Sequence, residues 1–147
     1  MSEVSQHELW QQVTARWDGS GELLPDRMGI EVIEFTPERV RATMPITGNR
    51  QPYGLLHGGA SAVLAETIGS IAAVLNAPAG SMAVGVELNC THHRPATEGS
   101  VTGVATALHK GRTISTFEIV ISDDKGRRVC TARLTCALRT AVPPASS

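Results

Sequence analysis

The sequence is poor in aromatic residues and has no excess of charge of either sign. Two Phe, one Tyr and two Trp are too few for the aromatic platforms on which single-stranded nucleic acids stack. A formal net charge of −1 at pH 7 provides no basic face for a phosphate backbone. We therefore expect no nucleic-acid partner.

Cysteines and long apolar runs are also scarce. Cys90, Cys130 and Cys136 are odd in number and lack a Cys-x-x-Cys spacing, which favours a reducing compartment over a disulfide framework. The polar first residues are unlike a signal peptide, and the apolar stretch 60–75 is too short to span a bilayer and contains Glu66. We expect a cytoplasmic protein that does not contact a membrane.

The chain is long enough for one folded domain, with 147 residues of which 41% are apolar. We assign that domain to residues 25–140. Residues 1–24 precede it and hold a predicted helix over 5–17, followed by a Gly- and Pro-rich loop that runs from 18 to 29. Residues 141–147 are predicted to be a disordered tail.

Apolar periodicity within the domain predicts one helix and six strands. Residues 58–76 are apolar on most sides and rich in small residues, which predicts a buried helix. Alternation predicts the strands, with Val84 and Val86 on the same face as Leu88 and Cys90. The strands cover about 30–35, 39–46, 84–91, 100–108, 114–121 and 130–138. Because strands in hairpin succession form an antiparallel sheet, we predict an α+β fold in which this sheet packs on one helix.

The start of the predicted helix is a candidate anion site. A helix N-terminus presents unpaired N–H groups, and Gly58 and Gly59 carry no side chain that would block them. An oxygen with developing negative charge could bind the Gly58 N–H, as in an oxyanion hole. The alternative is that the glycines only let two backbones approach closely.

Glu66 is a candidate base or nucleophile. An ionised carboxylate is costly to bury without a partner, and the positions one turn away are Ala62 and Ser70, so no ion pair forms within the helix. We expect Glu66 to be buried in a pocket, with Ser70 able to share a water, rather than to face solvent.

Gly58 and Glu66 are too far apart to act together within one chain. Eight residues of helix separate them, which is about 12 Å at about 1.5 Å per residue. A nucleophile must lie within about 3.5 Å of the carbonyl carbon that it attacks. If both act, they come from two subunits, and the small residues of the helix suit an interface between two such helices.

Other polar residues permit several interpretations. His57 could be a cap or a catalyst, and Gln51 could orient a substrate. Cys90 and His92 supply too few ligands for a zinc site, so we expect no metal. His92, Arg94, Lys110 and Arg112 could hold phosphates, although Lys110 and Arg112 could equally lie on a solvated hairpin tip. These groups lie in two short stretches of the sequence, His92 to Arg94 and Lys110 to Arg112.

The stretch GLLHGGASAVLAETIGS, with QP before it and VGVELNCTHHRP after it, resembles the hotdog-fold acyl-CoA thioesterases of the phenylacetate-type, Arthrobacter-like branch. The likeness covers roughly residues 25–139. Within the branch it is closest to hydrolases of 1,4-dihydroxy-2-naphthoyl-CoA from menaquinone synthesis and to proofreading thioesterases of enterobactin synthesis. The resemblance implies a six-stranded antiparallel sheet around a central helix, and a dimer with composite sites that commonly pairs into a tetramer.

The resemblance also implies a role for each matching residue. Glu66 would be the nucleophile or the general base, with Ser70 assisting the water, while Gly58, His57 and Gln51 would bind the thioester carbonyl. The positions implied for substrate and CoA binding are Gly85, His92, His93, Arg94, Pro95, His109, Lys110, Gly111, Arg112, Thr113 and Arg139. Tyr53 stands where we expect Phe in the relatives, which would add a hydroxyl near the acyl pocket.

The function predicted from these residues is hydrolysis of an aryl-type acyl-CoA thioester, with 1,4-dihydroxy-2-naphthoyl-CoA as a candidate substrate. CoA is then part of the substrate, and no further cofactor is expected. A proofreading thioesterase that acts on a carrier-protein thioester is the alternative within the same chemistry. A non-catalytic acyl-CoA binder is a second alternative, disfavoured because a binder gains nothing from a carboxylate at the thioester. A dehydratase is a third, but the sequence lacks the motif that it would need.

Overall fold

The structure, a computed structural model, describes Glu8 and residues 19–140 and has one antiparallel sheet wrapped around one long helix. In chain order the elements are α1 Leu24–Arg27, β1 Glu31–Phe35, β2 Val40–Pro45, α2 Gly58–Asn76, β3 Ser81–His92, β4 Ser100–Lys110, β5 Ile114–Asp123 and β6 Arg128–Thr140. The predicted helix over 5–17 (apart from Glu8) and the predicted tail over 141–147 lie outside the described residues. The α+β architecture predicted from the sequence is confirmed.

Helix α2 has the bounds that the sequence predicts. It begins at Gly58 because the His57 side chain caps it, with Nδ1 accepting a hydrogen bond of 2.8 Å from the Gly59 N–H. Its length and its mean hydropathy of 1.5 would suit a membrane span by composition alone. However, α2 contacts all six strands, which accounts for its apolar character as that of a core helix.

The strand order is β1-β2-β4-β5-β6-β3. The predicted hairpin succession holds for β1 with β2 and for β4, β5 and β6, but it is wrong for β3, which pairs with β6 instead of β4. Helix α2 follows β2 in the chain and crosses the face of the sheet. The chain therefore re-enters the sheet at its far edge, as β3. One side of β3 is therefore left without a partner strand among the described residues.

A β-bulge in β3 alters which side chains face the helix. Gly85 pairs with Cys136 and Glu87 with Thr135, so that Val86 is an extra residue in the strand. The prediction that Val84 and Val86 share a face with Leu88 is therefore wrong, because Val84 and Val86 are 46% and 57% exposed while Leu88 packs against the core. The bulge puts Gly85 under the helix and turns the valines outwards.

Small residues place α2 close to its own sheet. A Cβ atom on Gly69 would lie 2.6 Å from Leu134 Cδ2, and one on Gly103 would lie 2.9 Å from Ile68 Cδ1. The sequence interpretation assigned the small residues of the helix to contact with a second helix. At Gly69 they serve the helix–sheet packing of the same chain.

Candidate active site

The N-terminus of α2 opens into a cavity of about 440 Å³, here called the helix-entry cavity. Its lining residues come from the loop before α2, from α2 itself, from the end of β3 with the loop after it, and from β6: Gln51, Leu55, Leu56, Gly58, Ser61, His92, His93, Arg94, Pro95, Ala96 and Val129. The structure thus brings together, around this cavity, six of the site residues predicted from the sequence: Gln51, Gly58, His92, His93, Arg94 and Pro95. His93 is held in place by a hydrogen bond of 2.8 Å between its Nε2 and Thr131 Oγ1.

Gly58 supplies a free backbone donor at this cavity. Within the described part of the chain its N–H makes no hydrogen bond, whereas the next N–H, of Gly59, is capped by His57. A Cβ atom at position 58 would lie 3.0 Å from His92 Nε2, so glycine lets the imidazole approach the helix end. A helix N-terminus favours negative charge, so the Gly58 N–H is available to an anionic or carbonyl oxygen in this cavity.

His57 and Gln51 are oriented by hydrogen bonds with the backbone. Because His57 Nδ1 accepts the Gly59 N–H, a neutral His57 carries its proton on Nε2 and can donate from there. Gln51 Oε1 accepts the N–H of Tyr53, which leaves the amide nitrogen of Gln51 as the end that can donate. Tyr53 itself is 90% exposed and lines neither of the cavities described here.

Glu66 lies in a second cavity, of about 530 Å³, here called the Glu66 cavity. Three residues from the α1 region and five from α2 line it: Leu23, Leu24, Pro25, Val63, Glu66, Thr67, Ser70 and Ile71. The expectation that Glu66 is buried is wrong for the single chain, in which it is exposed. The apolar face of α2 turns to the sheet, while Glu66 points to the open side beside β3.

The Glu66 carboxylate also lies against the edge strand of the sheet. A Cβ atom on Gly85 would lie 3.1 Å from Glu66 Oε1, so the carboxylate rests against a position without a side chain. Behind it, burial raises the pKa of the Cys136 thiol, a hydrogen bond from the Ser70 side chain opposes this rise, and the charge of Glu66 adds to it. Glu66, Ser70 and Cys136 therefore form one cluster.

The predicted phosphate-binding residues fall into two groups at opposite ends of the sheet. His92 pairs with Cys130 at one end of β6, whereas Ile114, which follows the β4–β5 turn, pairs with Ala137 near the other end. Seven residues of strand separate these ends, or about 23 Å at about 3.3 Å per residue. The second group consists of His109, Lys110, Gly111, Arg112, Thr113 and, near the end of β6, Arg139. One chain does not bring the two groups together.

The three cysteines are free, and the described residues contain no group of three His, Cys, Asp or Glu side chains that could hold a metal ion. Cys90 and Cys130 are neighbours on β3 and β6. Burial, followed by the charge and hydrogen bonding of Cys90, raises the pKa of Cys130 to about 12. Burial also raises the pKa of Cys90, so both thiols are poor nucleophiles at neutral pH.

Sequence reasoning missed two parts of the site. Leu23, Leu24 and Pro25 wall the Glu66 cavity, although they lie in a segment that composition assigned to a loop. The local signals of a helix there are a proline and Asp26 in the first turn of α1 and Arg27 in its last turn. Cys136 could not be recognised either, because its contact with Ser70 depends on how α2 lies across β6.

Comparison with known proteins places this arrangement in a family. The sequence profile of the Thioesterase superfamily matches residues 53–130. The proofreading thioesterase EntH of Cronobacter turicensis is 48% identical over 116 residues, which cover 78% of this chain and 85% of the relative. The proofreading thioesterase EntH of Klebsiella pneumoniae is 49% identical over 112 residues, with 76% and 82% covered.

Solved structures of thioesterases have the same fold as this chain. A thioesterase from Haemophilus influenzae superposes with a TM-score of 0.83 at 33% identity, covering 99% of this chain and 97% of that one. A mutant thioesterase from Pseudomonas aeruginosa gives 0.81 at 40% identity, with 89% and 94% covered. The sheet and its central helix are thus the hotdog fold of thioester hydrolases. The chain belongs to the Thioesterase superfamily.

Proposed function

We propose that the protein hydrolyses an aryl thioester, with Glu66 as nucleophile or general base and the Gly58 N–H as the donor that stabilises the developing oxyanion. The observation that carries this proposal is a carboxylate in one cavity and a free backbone N–H in another, with Glu66 against Gly85 and Gly58 against His92 of the same edge strand. Thiolate is a good leaving group, so these two functions suffice for the chemistry.

We propose further that two chains build each site across the free edge of β3. This edge carries exposed apolar side chains, with Met82 48%, Val84 46% and Val86 57% exposed. An exposed apolar edge strand is a template for pairing with another strand. Two β3 strands that pair antiparallel about a two-fold axis would continue the sheet through both chains.

The positions along β3 fit such a pairing. Gly85 lies against Glu66 and His92 lies against Gly58. Gly85 and His92 are equally far from the point between Leu88 and Asn89, so antiparallel pairing about that point would set Gly85 of one chain opposite His92 of the other. The Glu66 cavity of one chain would then adjoin the helix-entry cavity of its partner.

The same pairing would reunite the two groups of cationic residues. Lys110, Arg112 and Arg139 lie at the Glu66 end of their own chain, and His92 and Arg94 of the partner subunit would be brought to that end. Phosphate groups of a pantetheine-linked substrate would find guanidinium and ammonium donors from both chains. We also propose that such dimers associate into tetramers and that the protein is cytoplasmic.

For the natural substrate we favour a thioester on a carrier protein, since the relatives named above are proofreading thioesterases. A carrier protein presents its acyl group on the same phosphopantetheine arm that CoA contains, so the two substrates use one chemistry. The hydrolysis of 1,4-dihydroxy-2-naphthoyl-CoA, and with it a role in menaquinone synthesis, is the second candidate. This substrate also carries an aryl group, but the relatives named above are proofreading thioesterases and do not support it.

Turnover of a matched substrate panel tests this proposal. The panel contains a hydroxybenzoyl group on CoA, the same group on an aryl carrier protein, 1,4-dihydroxy-2-naphthoyl-CoA and a straight-chain acyl-CoA. We expect the carrier-bound aryl thioester to have the highest kcat/KM. Glu66→Gln, which keeps the size of the side chain but removes its charge, should lower kcat about 10²–10⁴-fold. Binding of the whole panel without hydrolysis by the wild type would refute the enzymatic proposal.

Complementation between two inactive variants tests the shared site. Gly58→Pro removes the N–H donor and Glu66→Gln removes the base, and the two chains are co-expressed with different tags so that the mixed dimer can be purified. A mixed dimer has one site with both functions intact, so we expect about half of the wild-type turnover per dimer. Turnover no higher than that of the two parent variants would show that each site lies within one chain.

A further inference from the structure

The loop between β2 and α2 is anchored at Asn49. The side-chain amide of Asn49 donates two hydrogen bonds of 2.8 Å, one to the Pro45 carbonyl at the end of β2 and one to the Met28 carbonyl just after α1. The backbone N–H of Asn49 donates to the Ile46 carbonyl at 2.9 Å. Asn49 is half-buried, so these bonds are partly shielded from water. The loop is therefore fixed to two other elements of the fold at this residue.

Asn49 in turn holds the residue that caps α2. The Asn49 carbonyl accepts the N–H of His57 at 2.9 Å. The His57 carbonyl accepts hydrogen bonds from the N–H groups of Ala60, at 2.9 Å, and Ser61, at 3.3 Å, in the first turn of the helix. His57 Nδ1 accepts the Gly59 N–H. Of these contacts, the one with Asn49 comes from outside α2, and it ties the helix start to the anchored loop.

These contacts set the direction of the Gly58 N–H. The His57 carbonyl and the Gly58 N–H belong to one trans peptide unit, in which the C=O and the N–H point in opposite directions. Because the His57 carbonyl points into the first turn of α2, the Gly58 N–H points out of the helix end, where the helix-entry cavity lies. A rotation of this peptide unit would turn the donor away from the cavity.

We infer that Asn49 is a positioning residue that keeps the Gly58 N–H aimed at the thioester oxygen. Asn49 lines neither the helix-entry cavity nor the Glu66 cavity, so it acts on the reaction through His57. Donors that are fixed in advance stabilise a developing oxyanion because they need no rearrangement when the charge forms. This inference rests on the proposed role of the Gly58 N–H as the oxyanion donor.

Asn76 provides a matched control at the other end of the same helix. Its side-chain amide also donates two hydrogen bonds of 2.8 Å to backbone carbonyls, those of Pro37 and Ala72. Asn76 is the last residue of α2 and, like Asn49, is half-buried. Asn49→Ala and Asn76→Ala therefore remove the same number of side-chain hydrogen bonds, and we expect them to lower the unfolding midpoint similarly. Only Asn49→Ala should alter the reaction.

The prediction concerns kcat for hydrolysis of hydroxybenzoyl-CoA. Asn49→Ala should lower kcat about 10-fold, which is less than the loss of about 10²–10³-fold expected when the donor itself is removed. KM should change less than about twofold, because the donor acts mainly on the transition state. Asn76→Ala should keep kcat within about twofold of the wild type. Asn49→Ser retains one donor and should lie between Asn49→Ala and the wild type; compared with Asn76→Ser, it gives the same test if Asn49→Ala does not fold.

A double-mutant cycle with Gly58→Pro separates positioning of the donor from a general loosening of the site. If Asn49 acts through the Gly58 N–H, Asn49→Ala should lower kcat less than about twofold once that N–H has been removed. Equal fold-losses in both backgrounds, or a kcat in Asn49→Ala no lower than in Asn76→Ala, would overturn the inference alone. Full activity in Gly58→Pro would overturn the oxyanion role of Gly58 in the proposed function, and the inference with it.

Discussion

Replacing Gly58 with proline would remove one hydrogen-bond donor from the site and leave the helix intact. Gly58 is the first residue of α2, where proline is well tolerated because the N–H has no partner within the helix. The preceding residue must be extended, and His57 already is, with φ −65° and ψ 131°. The backbone is therefore already arranged for proline at this position.

The expected effect is that of losing an oxyanion donor. Removal of one such donor costs about 10²–10³ in kcat, or about 2.7–4 kcal/mol of transition-state stabilisation. Because the ground-state carbonyl binds the donor weakly, KM should change much less than kcat. Steady-state release of free CoA from hydroxybenzoyl-CoA, together with the thermal midpoint of unfolding, measures both the activity and the fold.

Gly58→Ala is the matched control for the added side chain. Both variants place a Cβ atom about 3.0 Å from His92 Nε2, but alanine keeps its N–H. His92 is exposed and can yield by a few tenths of an ångström, so we expect alanine to lower kcat only a few-fold. If proline and alanine lower kcat equally, steric contact with His92 explains the loss and the oxyanion role of Gly58 is refuted.

Three further predictions concern other residues. Gly85→Ala should lower kcat, because the new Cβ atom would lie 3.1 Å from Glu66 Oε1 and would displace the carboxylate. Kinetics unchanged from the wild type would show that Glu66 does not react from its position against Gly85. Cys130, with its pKa raised to about 12, should resist alkylation at pH 8 in the native protein and react when unfolded, as peptide mass mapping would show; rapid labelling of the folded protein would contradict its burial. The pKa of Asp123 is lowered, chiefly by backbone hydrogen bonding from Arg127. The ionised carboxylate therefore stabilises the fold at pH values above the ordinary pKa of 3.8, and this contribution is lost as the pH falls below 3.8 and through the lowered pKa. Asp123→Asn should therefore flatten the fall of the unfolding midpoint in acid, and an unchanged pH profile would contradict this assignment.

Interactions between residues that are close in the sequence determined the individual helices and strands. The bounds of α2 follow from a capping histidine, two glycines and a proline just beyond its end, and those signals are all contiguous. Alternating apolar residues also match the buried faces of β5 and β6, because the side on which each residue lies is set by the pleat. The need for two chains followed from helix rise alone and stays a prediction.

Tertiary structure decided where β3 pairs and which way its side chains face. The bulge at Val86 reverses the alternation halfway along the strand. Gly85 beside it is a weak local signal, because a bulge is defined by pairing with a neighbouring strand. Glu66 is exposed beside Gly85 for the same reason: the edge position of β3 leaves that side of α2 open. Cys136 meets Ser70 only because α2 crosses β6 at that point, so a contact between residues distant in the chain could not be derived from their spacing.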